Sequence, residues 1–251
     1  MPSREPAPLS LVGVGPGDPE LLTLAAVQAI RAAATVAYPV ARIGAESMAA
    51  RIAAAWIRPQ QQRLPLLFPM VAEAGARREA WHAAAAALAT AAECGPVVLL
   101  CEGDASLYAS CSYVLLHLAE QRPAWPLRVI PGVTAVAAAA AAASSQGLPW
   151  PLALQSEALL IRPCPDQAAD LEALIARAAA ECTVLALLKL GGRWAWVRPL
   201  LERLGLLEQA LFAQRVGWPD QWIAPAAHVA AQEQPYFSLL LLRQGWPAVL
   251  P

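Results

Sequence analysis

Apolar and polar positions along the chain switch repeatedly between the short runs of a strand and the wider spacing of a helix. Ser10 to Val14 forms an apolar strand candidate running into a glycine-rich turn, after which Asp18 is placed to cap a helix with Pro19 at its first position. The helix is expected to continue through LLTLAAVQAIRAAA, where Leu21, Leu24, Val27 or Gln28, and Ala32 recur at roughly helical spacing. Thr35 to Tyr38 follows as a strand halted by Pro39. Helices are expected over 46–57 and, in an alanine-rich stretch of strong helix propensity, over 74–92. Pro96 to Cys101 returns to strand character and Ala105 to Ala119 to helix, while QRPAWPL at 121–127 reads as a connector. The chain is therefore expected to divide into an N-terminal α/β domain over 1–124 and a C-terminal α/β domain over 125–251.

Beyond the connector, Arg128 to Ile130 reads as a strand, Pro131 and Gly132 as a turn, and Val133 to Ala143 as an alanine helix. Further strands are expected at Ala158 to Ile161, Thr183 to Leu190, Ala210 to Arg215 and Tyr236 to Arg243. Helices should fill 166–180 and 196–204 between them. Such alternation predicts mostly parallel sheets covered by helices.

Composition narrows the function classes. With 58% hydrophobic residues in 251 the chain has material for sizeable cores, and a net charge of -1 gives no global field for attracting nucleic acid. The apolar runs are broken early, as by Pro131 and Gly132 or by Lys189, so none supplies the ~18 residues of a membrane helix. The opening MPSREPAPLS lacks a basic stretch followed by an apolar core, so no secretion signal is expected and a cytoplasmic location is. The five cysteines, Cys94, Cys101, Cys111, Cys164 and Cys182, never form C-x-x-C, and His82, His117 and His228 lie far apart, so no metal site is expected.

Three loops carry the candidate chemistry. GVGPGDPELLTL at 13–24 resembles a dinucleotide fingerprint, but Asp18 fills the third glycine position and no acidic residue follows the next strand, which argues against NAD. It also lacks the G-K-[ST] ending of a phosphate-binding loop. CEGDASLYAS at 101–110 follows a strand, the place where open α/β sheets bind ligands, and Gly103 would permit close backbone approach. IPGVTAVAAAA at 130–140 repeats the strand, turn and helix-start logic. Taken singly, each loop is equally an ordinary tight turn, and Asp104 equally a helix cap.

Taken in order, the three loops resemble the tetrapyrrole methylase family, which pairs GxGPGD, a later GD loop and a PG[IV][ST] turn. AYPVAR at 37–42, ESMA at 46–49, LLFPM at 66–70, CEGDASLY at 101–108 and PYFSLLLLR at 235–243 resemble its branch acting on carbon 20 of precorrin-2. The resemblance spans about Leu9 to Arg243. It implies two α/β domains with S-adenosylmethionine in the cleft between them, a tetrapyrrole substrate (precorrin-2 or cobalt-factor II) and a homodimer. Motif matching implies donor contacts from Pro16, Glu102, Gly103, Asp104, Leu107, Thr134 and Ala135, with Leu188, Lys189 and Val216 as looser matches. The chain departs from the family at Ala105, where proline is usual, and at Leu188, where methionine is common.

A methyl on a sulfonium brings its own electrophile, so positioning dominates the expected chemistry and no catalytic base is assigned. The substrate's carboxylates suggest arginines, and Arg42, Arg77, Arg193 and Arg215 stand at predicted loops or element ends. For each, a solvated surface arginine is the competing reading. Tyr108, with Tyr38 and Tyr236, is a candidate macrocycle contact or a core aromatic. Uroporphyrinogen methylases, diphthine synthases and ribosomal-RNA methylases share such donor loops. A non-catalytic tetrapyrrole- or nucleotide-binding module is the alternative from another class.

Overall fold

The computed structural model describes residues 7–247, so the N-terminal stretch read for a secretion signal lies largely outside the described residues. By their contacts the residues form two units, one ending at Thr134 and the other beginning at Ala135.

The first unit holds a five-stranded parallel sheet of β1 (Leu9–Gly13), β2 (Thr35–Val40), β3 (Gln62–Leu67), β4 (Val97–Cys101) and β5 (Leu127–Ile130), in the order β3-β2-β4-β1-β5. Helices α1 (Leu24–Ala32), α2 (Met48–Ile52), α3 (Ala74–Ala92) and α4 (Cys111–Gln121) connect them. The period-2 alternation of a strand divides the core in two. Val97, Leu99 and Cys101 pack with Leu88 of α3 and Val114 of α4, whereas Val98 and Leu100 pack with Ile30 of α1 and Ile52 of α2. Buried on both faces, β4 reads as the continuous apolar run VVLLC.

The second unit begins with α5 (Ala135–Ser145) and contains β6 (Ala158–Pro163), α6 (Ala168–Ala180), β7 (Thr183–Leu188), α7 (Trp194–Arg203), β8 (Ala210–Gln214), β9 (Trp222–Pro225) and β10 (Ser238–Leu242). Its sheet runs β6-β7-β10-β8-β9. Leu171, Leu174 and Ile175 of α6 and Trp194, Val197 and Leu201 of α7 cover Leu185, Leu187, Phe212 and Leu240.

Several sequence expectations change. Only β6 and β7 pair in parallel here; β10 runs antiparallel to β7 and β8, and β9 antiparallel to β8, so the second sheet is mixed rather than mostly parallel. The first helix does not start at Pro19: Asp18 caps a single 3-10 turn, Pro19–Leu21, and Thr23 then caps α1 through its hydroxyl and the Ala26 N–H at 3.1 Å. Pro39 does not halt β2, because pairing with β4 ends at Ala37 and leaves that side of the strand open to a residue without an N–H. The helix expected over 46–57 is α2 followed by a 3-10 turn, Ala54–Trp56. The one expected from Ala105 starts at Cys111, with a loop before it. β3 and β9 are strands beyond those expected. The division expected after residue 124 falls inside the first unit, where β5 pairs with β1.

Candidate functional site

The order β4-β1-β5 sets the carboxyl ends of three parallel strands side by side, and the three glycine loops leave from them. Their backbones interlock. The Gly15 N–H donates to the Gly103 carbonyl at 3.1 Å, the Gly103 N–H to the Gly15 carbonyl at 2.8 Å, and the Val14 N–H to the Cys101 carbonyl at 2.9 Å. A Cβ on Gly13 would stand 2.7 Å from the Gly132 nitrogen and 2.8 Å from the Gly103 oxygen; one on Gly132 would stand 2.3 Å from that same oxygen. Gly13 and Gly132 are therefore required by close chain approach. Gly103, at φ 67°, differs: a Cβ there meets nothing within 4 Å, so its backbone faces open space at the carboxyl end of the central strand.

Asp104 binds this cluster together. One carboxylate oxygen accepts from the Gly132 N–H at 2.9 Å, across to the third loop, and the other from the Ser106 N–H at 2.8 Å and from the Ser106 hydroxyl. Burial acts to raise its pKa, but the Ser106 hydroxyl and the N–H groups of Gly132, Ser106 and Ala105 outweigh it and hold the carboxyl below the usual range. Ala105 contributes an N–H that proline would lack. The Ser112 hydroxyl donates to the Ala105 carbonyl at 2.8 Å, anchoring the loop to α4. Beside it, burial raises the Glu102 carboxyl above its ordinary value. Burial, with Asp104 and Glu102 nearby, pushes the Cys101 thiol up to about 12, which keeps it protonated and unreactive.

In the second unit, β10 enters between the carboxyl ends of β7 and β8, with Leu239 opposite Leu188 and Ser238 opposite Gln214. This gathers Leu188, Lys189 and Val216 around one strand start. The backbone there is left-handed at Lys189 (φ 58°) and Arg215 (φ 46°), a conformation that costs a side-chain-bearing residue energy and recurs at functional sites. Buried Ser238 fixes the turn: its hydroxyl accepts from the Gly191 N–H at 3.2 Å and donates to the Pro235 carbonyl at 2.7 Å.

The arginines differ in circumstance. Arg193 donates through Nε to Asp166 at 2.9 Å and through Nη1 to the Lys189 carbonyl at 3.1 Å, while Arg215 is paired with Asp220. Arg42 is exposed on the turn after β2, and half-buried Arg77 lies in the first turn of α3, whose Nε has no partner among the described residues. Tyr108, half exposed at φ 54°, lies in the second loop. Pro16 and Leu107 lie in the first two loops, and the third leads through Thr134 to Ala135 at the start of α5. Sequence reasoning missed the packing roles of Gly13 and Gly132, the tether from Ser106 and the carboxylates Asp166 and Asp220. The ordered GxG and PG spacing was the available signal for the glycines; the ion pairs had none.

A sequence model of the family described as Tetrapyrrole (Corrin/Porphyrin) Methylases matches residues 8–228. The chain is 36% identical over 243 residues to the cobalamin biosynthesis protein CobIJ of Mycobacterium bovis, covering 93% of this chain and 45% of that protein, so it spans about half that relative's length. It is 32% identical over 241 residues to the cobalt-precorrin-2 C(20)-methyltransferase of Salmonella typhimurium, covering 95% of this chain and 97% of that one. Among solved structures, uroporphyrin-III C-methyl transferase from Thermus thermophilus complexed with S-adenyl homocysteine shares the fold, with a TM-score of 0.60 at 24% identity over 95% of this chain and 92% of that chain.

Proposed function

Because this chain belongs to the tetrapyrrole (corrin/porphyrin) methylase family, we propose that it methylates carbon 20 of precorrin-2, or of its cobalt-containing counterpart, with S-adenosylmethionine as donor. The observation that carries this reading is the similarity to the Salmonella C(20)-methyltransferase over nearly the whole of both chains. S-Adenosylmethionine supplies an electrophilic methyl on sulfonium. The three-loop cluster suits such a ligand, since the Gly103 backbone opens to space in which an added Cβ would meet nothing within 4 Å.

Pro16, Glu102, Gly103, Leu107, Thr134 and Ala135 are the donor contacts in this reading, with Leu188, Lys189 and Val216 in the second unit. Asp104 spends its oxygens on Ser106 and Gly132, so it acts by holding the loops in register for the donor. Rigid placement of this kind lowers the barrier by fixing both reactants before reaction. Arg42 and Arg77 are candidate partners for substrate carboxylates, and Arg193 and Arg215 would engage them from existing ion pairs. Tyr108 would contact the macrocycle. A cytoplasmic homodimer completes the reading; light scattering at twice the chain mass supports it and a monomer overturns it.

Incubation with S-adenosylmethionine and either macrocycle should yield a product carrying one added methyl, located at carbon 20 by NMR. Methylation of uroporphyrinogen instead, or none with either precorrin-2 form, overturns the assignment. The ratio of the two rates identifies the natural substrate.

A further inference from the structure

The donor contacts use neither AYPVAR nor LLFPM, although both segments set this chain apart in sequence. The fold brings their ends together. β2 and β3 pair in parallel, with Pro39 opposite Leu66 and Val40 opposite Leu67, and the Phe68 N–H donates to the Val40 carbonyl at 2.9 Å. The turns that carry Arg42 and Met70 therefore leave side by side, from the same end of the sheet as the three glycine loops. Because β2 also pairs with β4, Ala37 opposite Leu99, its exit lies one strand spacing, about 4.8 Å, from that of β4, and the exit of β3 lies about 10 Å away.

These exits are apolar although they face water. Ile43 is 75% exposed and Met70 77%, and Leu67 and Val71 are exposed as well. Leu66 packs into the core beneath α3 and α4, so by strand alternation Leu67 faces the other side of the sheet, the side that α2 covers and to which the turn holding Ile43 leads. Single exposed apolar residues are ordinary, whereas four on two paired strand exits mark an interaction surface. Arg42, next to Ile43, is exposed and, unlike Arg51, Arg193 and Arg215, makes no ion pair among the described residues.

We propose that the exits of β2 and β3 seat the acceptor: Ile43, Leu67, Met70 and Val71 form an apolar shelf for the ring of a tetrapyrrole, and Arg42 holds one of its carboxylates. This rests on the methyl-transfer reading and deepens it, since the shelf sets which bridge carbon is turned to the donor. An apolar surface beside an unpaired guanidinium fits an amphipathic macrocycle with carboxylates at its rim. A ring lying over both exits reaches the neighbouring donor loop after β4.

Precorrin-2 binding, followed anaerobically by its absorption change on the whole chain saturated with S-adenosylhomocysteine, tests this without turnover. Ile43→Asn and Met70→Asn should each raise the precorrin-2 Kd about tenfold while S-adenosylhomocysteine affinity and Tm stay unchanged. Met70→Leu, similar in volume, should recover most of what Met70→Asn loses. Leu116→Asn is the control, an exposed apolar position on α4 away from the strand exits, and should leave the Kd unaltered. Wild-type precorrin-2 affinity in both shelf variants overturns the proposal, as does an equal loss in Leu116→Asn or no precorrin-2 binding at all. Loss of self-association in the shelf variants by light scattering also overturns it, since a second copy would then cover the shelf. A wild-type protein that binds precorrin-2 through the shelf without methylating it overturns the methyl-transfer reading alone.

Discussion

Gly132→Ala tests the interlocked loops most directly. Its Cβ would lie 2.3 Å from the Gly103 oxygen and 2.8 Å from the Gly13 carbonyl carbon, whereas ordinary contact begins near 3.4 Å. Both neighbours are backbone, so no side chain can swing away, and the loops must part by about 1 Å. If Gly132 moves, its 2.9 Å hydrogen bond to Asp104 is stretched beyond useful range. Overpacking costs about 1–3 kcal/mol, and loss of a hydrogen bond to a charged group about 1.5–3 kcal/mol. A net destabilisation of about 3 kcal/mol is expected, within the 5–15 kcal/mol of a typical domain. The variant should stay folded with a lower Tm by circular dichroism. S-Adenosylhomocysteine affinity should fall at least tenfold by calorimetry, because about 2 kcal/mol must be recovered to restore the loops. Gly44→Ala is the control: its φ of 80° imposes left-handed strain but a Cβ meets nothing within 4 Å, so donor affinity should not change. Wild-type affinity and Tm in Gly132→Ala would refute the reasoning.

Three further outcomes follow from the same contacts. Asp104 and Glu157 have lowered pKa values, so the stability they contribute is present above the ordinary carboxylate value of about pH 4 and lost as pH falls through the lowered ones. Melting curves from about pH 7 to 3 should therefore fall less steeply for Asp104→Asn than for wild type, and parallel curves would contradict the tether. Glu102 has the opposite sign: its raised pKa favours folding below the ordinary value and is lost as pH rises through the raised one, so Glu102→Gln should gain stability at neutral pH in the same melts. Arg243→Met should cost about 3–5 kcal/mol in denaturant titration by stranding buried Glu157, and Arg243→Met with Glu157→Leu should recover much of it; no recovery would mean that the ion pair is not the cause.

Much of the local structure was legible in the chain. The continuous apolar run VVLLC, the alanine run over 74–92 and the turn chemistry of GVGPGD and IPGV follow from hydrophobic pattern and backbone preference within a few residues. Interruptions such as the break between Leu21 and Leu24 were less legible. Apolar spacing continues smoothly across that break, while Asp18 caps only the short 3-10 turn and the Thr23 hydroxyl caps α1 afresh. β9 was missed because WIAP is short and gains its partner only once Phe212 and Ala213 are laid beside it.

The sequence by itself determined that three glycine loops end three strands and that Asp104 stands at the second. Only the tertiary structure decided what these groups face. Asp104 meets Gly132 because β4 and β5 flank β1; Arg243 meets Glu157, and Ser238 meets Gly191, because β10 returns antiparallel beside β7. Propensity and periodicity act over a turn or a strand, whereas a hydrogen-bond partner tens of residues away is set by strand order, which local preferences do not encode.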